Sequence, residues 1–132
     1  MDKEIKQIID EFEMFSDWQE KYSYIIDIGK KLPELDESQK IDANKVSGCV
    51  SQVWLIFSQA GSKYYFNADS DALIVKGLLA IVLRVFSGKT KEQIINTNFQ
   101  ELFEKLDLNN HLTPSRSNGL FAVVNKIVTS IS

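Results

Sequence analysis

Cys49 is the only cysteine in a chain of 132 residues, and it stands in the run Val46-Ser47-Gly48-Cys49-Val50-Ser51-Gln52-Val53-Trp54. A glycine precedes the thiol, and an apolar, strand-like run follows it. That order places one sulfur at the mouth of an ordered element, on backbone that can bend. Thiol chemistry depends on the thiolate fraction and on access, and a loop mouth can supply both. A single thiol excludes an internal disulfide and a multi-cysteine metal site, so its chemistry involves a second molecule. The competing reading is structural: free cysteine commonly serves as a small buried apolar side chain.

His111 is the only histidine. A Cys49–His111 pair would make a nucleophile and its general base. Otherwise His111 is a polar loop residue ahead of a helix cap. One cysteine and one histidine are too few for a structural zinc site, and no Walker A, Rossmann or zincin pattern occurs. Asp69 and Asp71 offer an acid–base pair, although capping of the next helix explains both more simply. Lys76 lies inside an apolar helical run. Either it snorkels to the surface, the simpler reading, or it lies near a functional group. Arg116 falls in the first turn of the last expected helix, where the dipole disfavours a cation. A carboxylate partner, or an anion held at that helix terminus, would account for it.

The elements that must position these residues follow from periodicity. Ile5, Ile8, Ile9, Phe12 and Phe15 recur at helical spacing. Ser16, three residues before Gln19, reads as a capping box for a second helix with Trp18, Tyr22, Ile25 and Ile26 on one face. That helix should end near Gly29-Lys30-Lys31, because Pro33 cannot continue it. Residues 33–44 read as a loop with one helical turn near residues 37–41. Residues 51–59 and 63–68 read as strands joined by Ala60-Gly61-Ser62 into an antiparallel hairpin. Both faces of the first strand are apolar, so cover is expected on both sides, by helices on one and by another segment or a partner on the other. A nearly all-apolar helix follows from Leu73 to Ser87 and should be central, with Gly88 closing it. Thr90 with Gln93 is a second capping box, Asn98 caps a further piece, and Thr113-Pro114 opens the last helix. Its apolar face is Leu120, Val123, Val124, Ile127 and Ile131. The sum is an α+β pattern: helices, a small antiparallel β-sheet, then helices.

Composition bounds the function. Apolar residues make up 44% and charged residues 25%, as expected of one soluble domain spanning residues 1–132. Net charge is −3 with no lysine or arginine cluster, which argues against generic nucleic-acid binding. The charged start Met1-Asp2-Lys3-Glu4 is unlike a signal peptide, and a lone cysteine without an export signal fits a reducing cytoplasm. The longest apolar stretch, residues 72–86, is interrupted by Lys76, Gly77 and Arg84 and falls short of the ~20 residues a membrane span needs.

Residues 46–55 resemble the cysteine motif of the SufE family of sulfur acceptors. Three more segments match in the same order. They are Ala68-Asp69-Ser70-Asp71 with Ile74-Val75-Lys76-Gly77-Leu78, then Ser87-Gly88, then His111-Leu112-Thr113-Pro114-Ser115-Arg116-Ser117-Asn118-Gly119-Leu120. Trp18, Tyr22 and Leu32-Pro33 also fit. Ser47 and Val50 stand where many members carry proline and glutamine, a departure that bears on loop stiffness. The resemblance implies a SufE/IscU-like fold, a short antiparallel sheet with helices mainly on one side. It implies a protein that takes persulfide sulfur from a PLP-dependent cysteine desulfurase onto Cys49, stimulates that enzyme, and delivers the sulfur to the SufBCD scaffold for iron–sulfur cluster assembly. It places Gly48, Gln52, Asp69, Asp71 and Arg116 near the cysteine or on the docking surface. No cofactor of its own is implied, since PLP belongs to the desulfurase. A CsdE-type carrier serving another desulfurase, a Cys49/His111 thiol enzyme, and an adaptor with Cys49 as plain core are the alternatives. Whether the chain forms a homodimer is open.

A lone thiol also suits the carrier reading chemically. A neighbouring thiol would resolve a Cys49 persulfide into a disulfide. Clusters need several cysteine ligands, which argues against a scaffold role. A carrier should shield its thiol partly against oxidation, and Gly48 should let the loop turn Cys49 outward on docking.

Overall fold

The computed structural model describes residues 3–131; Met1 and Asp2 of the charged start, and Ser132, lie outside them. The first helix, α1 (Lys3–Glu13), buries Ile5, Ile8 and Phe12 along one stripe. The second, α2 (Trp18–Lys30), is capped by Asp17, whose side chain accepts the Glu20 N–H at 2.8 Å. The expected Ser16–Gln19 box does not form. The helix starts at Trp18, so the cap position falls on Asp17, and Ser16 donates its hydroxyl to Glu20 Oε1 instead.

The long apolar helix α3 (Leu73–Phe86) lies at the centre as expected and buries eight of its residues. It meets α2 unusually closely. A Cβ added at Gly77 would lie 2.0 Å from the Ile25 carbonyl oxygen, and one added at Gly29 would lie 2.5 Å from the Gly77 nitrogen. Two glycines thus let the two backbones touch. At its other end Arg84 grips Glu11 of α1 through two 2.9 Å hydrogen bonds, and Tyr24 of α2 donates its hydroxyl to the same carboxylate. The Arg84 hydrogen bonds hold the Glu11 carboxyl below its usual range. Burial, together with Glu11, pushes the Tyr24 phenol up to about 12. Arg84→Met removes both bonds from a partly exposed carboxylate and is expected to cost about 1–2 kcal/mol, read as a lower urea midpoint. Because the folded Glu11 binds its proton more weakly than the unfolded one, this stabilisation is complete above the ordinary glutamate pKa. It is lost as the pH falls through the depressed value, so the variant's deficit should shrink below about pH 4.

The sheet is antiparallel in the order β1 (Val53–Ala60), β2 (Lys63–Ser70), β3 (Lys89–Thr90). Gly61, at φ +62°, takes the first position of the two-residue turn where Ala60 meets Lys63. Val53, Leu55, Phe66 and Ala68 share one face of the hairpin and join the helical core. Trp54 and Asp69, paired across the strands, occupy the other face. Residues 35–45 cover them, with two 3-10 turns at Glu37–Gln39 and Asp42–Asn44 where one turn was expected. The Lys40 ammonium lies 5.7 Å from the Trp54 ring centre. Helices therefore pack mainly on one side. Cover on both faces holds only for the first half of β1, since Phe57 in its second half is 47% exposed. Strand β3 is two residues long, too short for a sequence pattern, and pairs Lys89 and Thr90 with Tyr64 and Lys63.

The remaining helices follow their caps. Thr90 and Gln93 form the expected capping box of α4 (Lys91–Ile95), and Asn98 caps α5 (Phe99–Lys105). Thr113 caps α6 (Pro114–Ser130), with proline at the start. A 3-10 turn at Leu108–Asn110, entered through Asp107 at φ +61°, precedes α6 and has no counterpart in the sequence reading. Among the described residues, the fold is α+β: six α-helices and one three-stranded sheet.

Candidate functional site

The cysteine loop is held at both ends. On one side the Val46 N–H donates to the Val53 carbonyl at 2.9 Å, closing the loop onto the start of β1. On the other, Gln52 and Asp71 bond reciprocally. The Gln52 N–H donates to Asp71 Oδ1 at 3.1 Å, and the Asp71 N–H donates to the Gln52 carbonyl at 3.4 Å. Between these anchors the chain turns at Gly48 with φ +90°, a left-handed conformation that side chains disfavour. Val50, beside the thiol, is 83% exposed.

Cys49 itself is half-buried. Its thiol donates to the Gly119 carbonyl oxygen on α6 at 3.4 Å. Burial pushes the thiol pKa above its ordinary value, so the resting sulfur carries its proton at neutral pH. Below it opens a cavity of about 110 Å³. Val75, Leu78 and Leu79 of α3 and Leu120 and Val123 of α6 give it apolar walls, and Thr113, Ser115 and Arg116 add polar groups. The cavity forms because α6 begins beside the loop: its first three turns present Arg116, Gly119, Leu120 and Val123 on one helical face.

The other sequence candidates divide. Arg116 joins Cys49 at the cavity, and no ion pair ties its guanidinium to a carboxylate among the described residues. Arg116 is paired with neither Asp69 nor Asp71, whose partners lie elsewhere. Asp69 is only 1% exposed. It accepts N–H groups from Leu35 and Ser70 and is ion-paired at 3.5 Å to both Lys40 and Lys76. Burial pushes its carboxyl up, but the two N–H groups and the two ammonium ions outweigh burial and hold it below the usual range. Lys76 accordingly does not snorkel outward; its ammonium lies between Asp69 and Glu34.

Neither aspartate caps α3. The cap position is Ala72, which makes no side-chain bond, because β2 runs on through Ser70 and draws Asp69 into the strand. Asp71 faces the cysteine loop instead. Gln52 takes part through its backbone. His111 stacks on Trp18 at 4.4 Å and contacts Asp107, and it is neither bonded to Cys49 nor part of the cavity wall. The Cys49–His111 pair is therefore not assembled in this conformation. Sequence reasoning gave no role to Gly119. Its spacing of three from Arg116 and four from Val123 was the available signal, but those positions read equally as core.

Among the described residues, no group of three or more His, Cys, Asp or Glu side chains is placed to hold a metal ion, and no helix is long and apolar enough to cross a membrane.

Helices mainly on one side of a short antiparallel sheet, with one thiol at the rim of an apolar cavity, define a small α+β protein with a lone, half-buried cysteine. Residues 6–131 match the family described as SufE, the Fe-S metabolism associated domain, and the chain belongs to that family. It is 45% identical over 127 residues to an uncharacterised SufE-like protein of Rhizobium etli, covering 93% of this chain and 86% of the relative. It is 42% identical to another from Rhizobium meliloti, covering 93% and 91%. A solution structure of a hypothetical protein from Thermus thermophilus superposes with a TM-score of 0.78 at 16% identity, over 97% of this chain and 93% of that one, and shares the fold.

Proposed function

We propose that this protein is a sulfur acceptor: Cys49 takes sulfane sulfur from the persulfide of a PLP-dependent cysteine desulfurase and carries it toward iron–sulfur cluster assembly on a SufBCD-type scaffold. The observation that carries this reading is the half-buried thiol at the rim of an apolar cavity, on a loop that turns at Gly48. In the transfer, the Cys49 thiolate attacks the outer sulfur of the donor persulfide. The donor's S–S bond breaks and its inner sulfur leaves as a thiolate, while a new S–S bond forms on Cys49. No electrons are gained or lost overall. The donor's outer sulfur keeps its charge or proton and rides on Cys49, and the departing thiolate takes up a proton from solvent.

Arg116 stands where it can stabilise that negative sulfur. Asp71, through Gln52, holds the loop's exit so that Gly48 absorbs the motion that brings Cys49 outward. Hydrogen exchange of residues 46–52 should accelerate or slow on addition of the desulfurase; unchanged protection throughout would count against a docking-coupled loop.

The deciding experiment is the mass of the protein after incubation with desulfurase and cysteine. A reductant-labile gain of about 32 Da on Cys49 is expected, the signature of a persulfide. No gain, with the desulfurase verified as loaded, rejects the proposal. Arg116→Ala should fold normally and take up sulfur about tenfold more slowly, the effect of losing one charge-assisted contact of ~1.4 kcal/mol in the transition state. An undiminished rate removes Arg116 from the mechanism.

A further inference from the structure

Gly119 lies one turn into α6, a position where glycine weakens a helix. Its backbone does not require it, since the positive-φ glycines are Gly48, Gly61 and Gly88. The gap between position 119 and the cysteine has room for a methyl and nothing larger. A Cβ at position 119 would lie 3.4 Å from Cys49 Sγ, 3.5 Å from its Cα and 3.7 Å from its Cβ. The carbonyl of the same residue accepts the thiol hydrogen at 3.4 Å. Position 119 therefore supplies the acceptor and, lacking a large side chain, leaves the thiol's place unfilled. One turn further on, Ala122 backs the hinge, 3.6 Å from where a Gly48 Cβ would be.

We propose that Gly119 is a positioning residue that parks the protonated Cys49 thiol against α6 between transfer events. Its purpose rests on the sulfur-acceptor reading, but the parking itself is measurable on the protein alone. A carbonyl oxygen accepts from S–H and repels a thiolate, so the contact favours the unreactive form. The charged group at the same cavity is Arg116, on the same helix. Loss of the proton to a solvent base therefore removes what holds the sulfur at Gly119 and leaves Arg116 as its electrostatic partner.

The test is a size series at position 119, read by iodoacetamide alkylation of Cys49 in the free protein. An alanine methyl would meet the thiol at ordinary van der Waals distance, and alanine favours helices, so Gly119→Ala should fold and alkylate within about threefold of the wild-type rate. Gly119→Leu cannot share the space. It should expose the thiol, raise the alkylation rate at least tenfold, and move the pH midpoint of that rate down toward an ordinary cysteine. Circular dichroism checks the fold. Should the leucine variant unfold, Gly119→Ser is read in its place, and it must alkylate faster than Gly119→Ala. A leucine (or, in that case, serine) variant that stays folded with wild-type rate and midpoint overturns the proposal, as does a series without dependence on size. Sulfur uptake from the desulfurase is scored separately. A parked thiol that never gains mass condemns the acceptor reading and leaves the parking intact.

Discussion

Cys49→Ser is expected to abolish sulfur acceptance and desulfurase stimulation while leaving the fold unchanged. The hydroxyl is slightly smaller than the thiol and can donate to the same Gly119 carbonyl. The side chain is half-buried at a rim rather than packed inside, so the stability change should stay within about 1 kcal/mol. The chemistry has no such tolerance. A serine hydroxyl is not ionised at neutral pH without a base, and His111, stacked on Trp18, does not supply one. The measurement pairs a thermal melt with the desulfurase assay. A variant with lowered stability and intact stimulation would mean that Cys49 is ordinary core and that the protein acts as an adaptor.

The largest effect on stability should come from Gly77→Ala. Helix propensity alone predicts a gain of about 1 kcal/mol for this change. Geometry predicts the opposite sign, because the new methyl would sit 2.0 Å from the Ile25 carbonyl and 2.5 Å from the Ile25 Cγ2. Backbone cannot yield as a side-chain tip can, so α2 and α3 must separate along the seam on which the core is built. A loss of at least ~3 kcal/mol follows, which for a chain of this size lowers the melting temperature by roughly 10 °C. A melt at or above the wild-type temperature would show that the two helices do not touch as described.

The pattern of elements was legible in the sequence wherever local chemistry decides structure. Thr90 with Gln93, Asn98 and Thr113-Pro114 marked three helix starts, because a cap is satisfied within a few residues of itself. Ser16 misled because Asp17 beside it can cap equally well, and one residue of register decides between them. Asp69 and Asp71 misled for a deeper reason. Two aspartates before an apolar run look like caps, yet their partners lie far along the chain, at Leu35, Lys40 and Gln52. Long-range pairing of that kind leaves no periodic trace. The same holds for the site. The placing of Cys49 on a loop just ahead of a strand could be read from Gly48 and the apolar run that follows, whereas the cavity needs α3, α6 and the loop together. Gly119, silent in composition, took on a role only once its neighbour across the gap was known.

The two anchors of the cysteine segment set a tether length. Val46 and Gln52 are both fastened, so six peptide steps must leave one clamp and return to the other. At ~3.5 Å per step, the midpoint of such a span can rise no more than about 10 Å from the surface. The thiol is thus a short arm rather than a swinging one. On the sulfur-acceptor reading, a donor has to bring its sulfur to within about 10 Å of this protein's skin, and a centre recessed further than that in its own fold stays out of reach unless its own sulfur-bearing segment moves outward.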